Sequence, residues 1–118
     1  MKVSVDYDGT LDQEEVQDYI QDLIDLGNEV HIVTLRHEDR PDGNDDLYAT
    51  ADQLGIDRYY VHFTNGQMKI HFFQKSSDYA FHLDDCEWQL SHLQKDGSVE
   101  AVWYEKDGDW KSLCDACL

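Results

Sequence analysis

Two carboxylates two residues apart, Asp6 and Asp8, follow the apolar run Val3-Ser4-Val5 and lead directly into Gly9-Thr10-Leu11. If that run is a strand, the pair sits at its mouth with both side chains on one face, because residues two apart on a strand share a face. An isolated Asp-x-Asp is common in solvated loops. At the carboxyl end of the first strand of an α/β sheet, however, it lies where such folds bind ligands. The chemistry suited to such a pair is that of metal ions and phosphate.

What positions the pair is a strand–helix alternation that runs through the chain. Lys2–Asp6 reads as the first strand. Asp12 with Glu15 makes a capping box, and Val16, Ile20, Leu23 and Ile24 form one apolar helical stripe closed by Gly27. Glu29–Thr34 is the second strand. An acidic loop, His37–Asp46, precedes a helix from Asp45 to Leu54 that Gly55 ends. Arg58–Phe63 is the third strand, broken at Thr64-Asn65-Gly66 before a short helix over Gln67–Gln74. Tyr79–Leu83 is the fourth strand, Glu87–Gln94 a helix, Val99–Glu105 the fifth strand, and the tail from Asp109 a further short helix. Strict alternation predicts an α/β fold: a single Rossmann-like three-layer α/β/α domain with a mostly parallel five-stranded sheet and right-handed crossovers.

In such a sheet every strand ends at the same edge. Strand one delivers Asp6 and Asp8, strand two Thr34 with Arg36 just beyond, strand three His62 and the Thr64-Asn65-Gly66 turn, with Lys69 opening the next helix. Strand four delivers Asp84 and Asp85. Clustered carboxylates call for a hard divalent cation, and Mg²⁺ suits one or two carboxylates plus a phosphate oxygen. A hydroxyl and an ammonium hold phosphoryl oxygens as charge redistributes. One aspartate can attack phosphorus, and a second can pass a proton to the leaving oxygen and later take one from water.

These residues resemble the haloacid dehalogenase (HAD) superfamily of phosphohydrolases, in the small capless form. The run Val5-Asp6-Tyr7-Asp8-Gly9-Thr10-Leu11 is similar to its first motif, His31-Ile32-Val33-Thr34 to its second, Lys69 to its third, and Phe81-His82-Leu83-Asp84-Asp85 to its fourth. The motifs stand in the family's order. The resemblance implies that Asp6 is the nucleophile and a metal ligand, and that Asp8 is the general acid/base with its backbone carbonyl on the metal. It implies that Thr34 and Lys69 hold the phosphoryl group. Of the acidic pair, Asp85 would bind the metal directly and Asp84 would orient the site or bind through water. An aspartate at position 8 implies phosphoester hydrolysis through an aspartyl phosphate, with Mg²⁺ as cofactor. Lys75 is a rival for the third motif, but it leaves only nine residues before Asp84 and does not open a helix.

Family members often insert a cap domain between motifs. Asp8 to Thr34 has room only for a turn, a helix and a strand, and Thr34 to Lys69 only for a loop, a helix and a strand. The expectation is an open site, covered if at all by a second subunit or the acidic loop. Such a site suits a phosphorylated substrate of either kind, a small molecule such as a nucleotide or the end of a macromolecule such as a nucleic acid. The oligomeric state is left open.

The formal net charge of −17, with nine Lys and Arg against 26 Asp and Glu, excludes an extended nucleic-acid-binding surface. The hydrophobic fraction of 41% fits a folded domain rather than a disordered tail. No apolar run reaches membrane length and no signal-peptide pattern opens the chain, so a cytoplasmic location is expected. Cys86, Cys114 and Cys117 are an odd set without secretion signals and read as incidental thiols. Arg36 reads as a phosphate contact or a surface ion-pair partner. His37 and His62 read as solvated or satisfied groups near the crevice, and His31 and His82 as structural. Trp88, Trp103 and Trp110 read as core and tail packing. Two other classes compete with hydrolysis. A phospho-receiver signalling domain would carry its acidic pair on strand one and its Lys last, unlike the order here. A non-catalytic acidic binding protein or DNA mimic would use the surface charge instead of the site.

Overall fold

The β-branched and aliphatic runs that read as strands pair into one sheet whose central strands are covered on both faces, as an all-parallel arrangement requires, while its edge strands are only partly covered. In the computed structural model, which describes residues 1–118, the strands are β1 (Lys2–Val5), β2 (Glu29–Thr34), β3 (Val61–Phe63), β4 (Tyr79–Asp84) and β5 (Ala101–Trp103). Every pairing is parallel and the spatial order is β3-β2-β1-β4-β5. The helices are α1 (Glu14–Asp25), α2 (Asp45–Leu54), α3 (Lys69–Lys75), α4 (Glu87–Asp96) and α5 (Trp110–Ala116). No cap domain interrupts them, as the motif spacing predicts, and no helix is long and apolar enough to cross a membrane.

Two hydrophobic clusters flank the sheet. The larger joins Val3, Val5, Val30, Ile32 and Leu83 to α1, α2 and α5 through Val16, Ile20, Leu47, Ala51 and Trp110. The smaller sets Val33, Tyr79 and Val99 against Phe73 of α3 and Leu93 of α4. The first strand therefore sends Val3 and Val5 to one layer, and Ser4 to the other, thinner layer. The register between β1 and β4 shifts between Lys2 and Ser4, which brings His82 opposite Ser4 and Leu83 opposite Val5.

Several boundaries differ from the sequence expectation. The capping box at Asp12 and Glu15 does not form: α1 begins at Glu14 after Gln13, without a side-chain cap, and Glu15 instead accepts a hydrogen bond from the Tyr104 hydroxyl. Gly27, at φ +94°, does close α1; Gly27 N–H donates to Ile24 O and Asn28 N–H to Leu23 O, the paired bonds of a left-handed helix stop. Arg58–Tyr60 is one turn of 3₁₀ helix rather than strand, because the Asp57 carboxylate accepts from Tyr59 N–H at 2.7 Å and curls the chain. β5 is shorter than Val99–Glu105 because its only partner, β4, ends at Asp84, opposite Trp103. Helix α4 runs on to Asp96. Of the tryptophans only Trp110 is core; Trp88 and Trp103 are 56% and 42% exposed.

Candidate active site

At the carboxyl edge of β1 the chain turns sharply. Leu11 N–H donates to Asp6 O at 3.1 Å and Asp12 N–H to Tyr7 O at 3.1 Å, a wide turn made possible by Gly9 at φ +80°. A side chain at position 9 would be strained by that φ, and its Cβ would also lie 2.2 Å from Asp85 Oδ2. Glycine is thus what lets the β1 turn and the end of β4 close on each other. Thr10, fully buried in this turn, spans the gap: its Oγ1 lies 3.2 Å from Asp6 Oδ2 and 3.2 Å from Asp85 Oδ1.

The centre of the site is Lys69. Its ammonium is 1% exposed and donates to Asp6 Oδ1 at 2.8 Å and to Asp84 Oδ2 at 2.6 Å. Lys69 thus reaches the acidic pair on strands one and four, and Lys75 does not: it lies exposed at the far end of α3, without an ion pair. The backbone of Lys69 is fixed as well, its N–H donating to the buried Gln89 Oε1 at 3.1 Å. Behind the lysine runs a second row. Asp84 Oδ2 also accepts from His82 Nε2 at 2.8 Å, His82 Nδ1 meets Ser4 Oγ at 2.9 Å, and Asp84 Oδ1 accepts from Cys86 N–H at 3.1 Å. Both oxygens of Asp84 are therefore engaged by the protein, whereas Asp85 is exposed toward the crevice.

Burial governs the ionisation of these groups. It pushes the Asp6 carboxyl well above its usual range, with Lys69 opposing and the Asp84 charge reinforcing the shift. Burial would raise Asp84 too, but the His82 hydrogen bond and the Lys69 charge hold it below the ordinary carboxylate range. Burial works against the Lys69 charge, and the two aspartates more than restore it, lifting its pKa. Full burial lowers His82, so a neutral ring, donating from Nε2 and accepting on Nδ1, fits its place between Asp84 and Ser4.

Asp8 takes a separate position. Its exposed carboxylate is held bidentately by Arg36, from Nε at 2.9 Å and Nη2 at 2.7 Å. The same guanidinium grips Asp46 at the start of α2 at 2.7 and 2.8 Å and approaches Asn44 Oδ1 at 3.4 Å. These bonds raise the Arg36 pKa further and bring Asp46 down to about 2. Arg36 is thus an ion-pair partner that ties the acidic loop to the site. Thr34 is buried, its Oγ1 accepting from Arg36 N–H at 3.2 Å, and it faces the same crevice.

Asp6, Asp8, Thr34, Lys69, Asp84 and Asp85 all line one crevice of about 150 Å³ at this edge. The largest cavity, about 570 Å³, lies away from it between β5 and α5 and is almost wholly apolar. Of the sequence candidates, Asp6, Asp84 and Asp85 bring one carboxylate oxygen each within 4.8 Å of the others. Asp8 stays outside that cluster. One buried ammonium against three carboxylates leaves an excess of negative charge, and the donors are hard oxygens. The set fits a hard divalent cation such as Mg²⁺.

Sequence reasoning passed over the supports of the site. His82 is structural, as expected, but its specific task is to hold Asp84, and Ser4, Thr10 and Gln89 received no role. A signal was present: Ser4 and His82 are polar residues inside apolar strands, each two positions before a site aspartate and hence on the same face. His31 and His62 do lie in the smaller layer as satisfied groups, Nδ1 to Nε2 at 2.9 Å, with Glu29 on the other His31 nitrogen. The thiols are free, and Cys114 is buried and held protonated by that burial. Compared with protein-family models and with curated proteins, the chain matches none, so the functional reading rests on the site itself.

Proposed function

We propose that the chain is a Mg²⁺-dependent phosphatase of the HAD type, hydrolysing a phosphomonoester through an aspartyl phosphate on Asp6. The observation that carries the reading is the Asp6 carboxylate itself. It stands at the carboxyl end of the central strand, held by Lys69 and Thr10, with Asp85 beside it and Thr34 across the crevice. This is a nucleophile oriented by its neighbours rather than a solvated surface acid.

The first step forms a bond from an Asp6 carboxylate oxygen to phosphorus and breaks the bond to the leaving oxygen, which takes a proton from Asp8. In the second, water attacks the phosphoryl group, Asp8 accepts its proton, and phosphate leaves with Asp6 restored. Lys69 and the Thr34 hydroxyl supply hydrogen bonds to phosphoryl oxygens, in keeping with their burial at the crevice wall. Asp6 and Asp85 would hold the metal, with Asp84, whose oxygens are already engaged, keeping Lys69 and the site in register. Bound there, the cation offsets the repulsion between a phosphate dianion and the carboxylates. Asp8 reaches the leaving oxygen by releasing Arg36, whose grip on Asp46 persists without it.

The test is hydrolysis of a generic aryl phosphate by the pure protein with and without Mg²⁺, paired with beryllofluoride binding. Slow Mg²⁺-dependent turnover, abolished in Asp6→Asn, and a beryllofluoride adduct on Asp6 are expected. Metal-loaded protein that neither turns over a phosphoester nor forms the adduct would sink the proposal.

A further inference from the structure

Gln89 is a buried side chain of which the protein uses only half. It stands on the inner face of α4 beside Leu90 and Leu93, 4% exposed, where an apolar residue would pack without any polar group to satisfy. Its Oε1 accepts from Lys69 N–H at 3.1 Å and so ties α4 to the start of α3. That bond fixes which way the amide faces, because a backbone N–H must meet the oxygen and not the NH₂ group. Nε2 is thereby turned away from Lys69 N–H, and it makes no hydrogen bond within the protein. Thr64 Oγ1 is the only fully enclosed side-chain polar atom left without a partner, so Nε2 is not enclosed. Gln89 lines the crevice that holds Asp6, and the two donors of Nε2 open onto it.

Free donors are scarce in that crevice. Its four aspartates only accept when ionised. Lys69 already donates to Asp6 and Asp84, and the Arg36 guanidinium is committed to Asp8, Asp46 and Asn44. The uncommitted side-chain donors are the Thr34 hydroxyl, whose oxygen accepts from Arg36 N–H, and the Gln89 amide, with the weaker Cys86 thiol. Thr34 and Gln89 come from opposite sides of Asp6. Thr34 ends β2, Gln89 lies in the helix that follows β4, and these two strands flank β1. A phosphoryl group on Asp6 therefore meets a neutral donor from either side.

We infer that Gln89 is a further substrate-binding residue of the site: Nε2 donates to a phosphoryl oxygen, while Oε1 keeps the amide rigid through Lys69 N–H. Held in place beforehand, the amide donates without reorganising as charge moves onto the phosphoryl oxygens. This role rests on the phosphatase reading for the identity of the group on Asp6, whereas the uncommitted donor is a property of the fold.

The probe is inorganic phosphate with Mg²⁺, followed through the side-chain amide resonances of the full chain; the Gln89 pair is assigned by its disappearance in Gln89→Met. Phosphate is expected to move the Gln89 amide protons downfield. Gln89→Met should weaken phosphate binding and lower kcat/KM for an aryl phosphate by roughly 10- to 100-fold, the scale of one hydrogen bond to a charged oxygen. Gln89→Glu separates contact from support. It keeps an oxygen for Lys69 N–H and loses the donor, so it should bind phosphate no better than Gln89→Met. If Gln89 only supported α3, Gln89→Glu would be without effect. Phosphate that leaves the Gln89 amide unmoved, or Gln89→Glu with wild-type phosphate affinity, overturns the inference even if the protein turns over a phosphoester. A Gln89 amide that responds to phosphate in a protein with no turnover and no beryllofluoride adduct refutes the phosphatase reading and keeps Gln89 as an anion contact. The resonance is read in the wild type, so the result stands even where a variant fails to fold.

Discussion

Lys69→Ala is the perturbation that bears hardest on the site. It removes the only cation between Asp6 and Asp84, whose oxygens lie within 4.8 Å of each other. At an effective permittivity of about 20, two like charges at that distance repel by roughly 3.5 kcal/mol. Removing one partner from a buried ion pair commonly costs about 3–5 kcal/mol, which agrees. For a domain with about 5–15 kcal/mol in hand, that is a large share of its stability, and it corresponds to a drop in Tm of roughly 12–20 °C. The assay is urea denaturation followed by circular dichroism in EDTA, wild type against variant, across pH. Without the ammonium, one of the two carboxyls takes a proton more readily in the folded than in the unfolded state. A folded pKa raised in this way favours the fold at low pH, so the deficit is largest at alkaline pH and shrinks as pH falls. Asp6→Asn added to Lys69→Ala should recover much of the loss, because one charge of the repelling pair is gone. A deficit under about 1 kcal/mol, or one that does not change with pH, would refute the account of Lys69 as the charge that holds two buried carboxylates together.

Three further outcomes follow from the geometry. Gly9→Ala must bear positive φ at a cost of about 1–2 kcal/mol and displace Asp85, so a differential-scanning melt should show the lost stability and Mg²⁺ should no longer raise the variant's Tm. Mg²⁺ should raise the Tm of the wild type in a concentration-dependent way that EDTA reverses, and Asp85→Asn should lose most of that shift; an equal shift in the variant would remove Asp85 from the metal site. The His31–His62 pair should make the fold acid-sensitive: burial, with the neighbouring His31, lowers His62 to about 4, and burial lowers His31 as well. Folded values below the unfolded one mean this stability is complete above about pH 6.5 and is lost as pH falls toward 4. A urea midpoint measured across that window should fall in the wild type and fall less in His62→Phe, and parallel curves would count against the pair as the acid-sensitive element.

The alternation of apolar runs with helical stripes was enough to anticipate the architecture, because a buried parallel strand must be apolar on both faces and a crossover helix on one. It was enough to anticipate that Asp6, Thr34, Lys69 and Asp84 would meet, since parallel strands share an exit edge and only chain order is needed to list what they deliver. Element ends were less legible. The 3₁₀ turn at Arg58–Tyr60 depends on a side-chain bond from Asp57, and the length of β5 depends on where its neighbour stops. Local composition carries neither fact.

What the sequence determined alone is therefore the list of polar groups at the site and their common edge, which follow from strand order and residue type. What only the tertiary structure decided is how those groups are held. Asp84 and Asp85 are chemically identical neighbours, yet Asp84 is buried against Lys69 and His82 while Asp85 is exposed at the crevice. Asp6 and Asp8, which the spacing treats as a pair, part company in the same way, one buried against Lys69 and the other clamped at the surface by Arg36. The physical reason is that a carboxylate's role is set by its desolvation and its partners, and both come from residues distant in the chain.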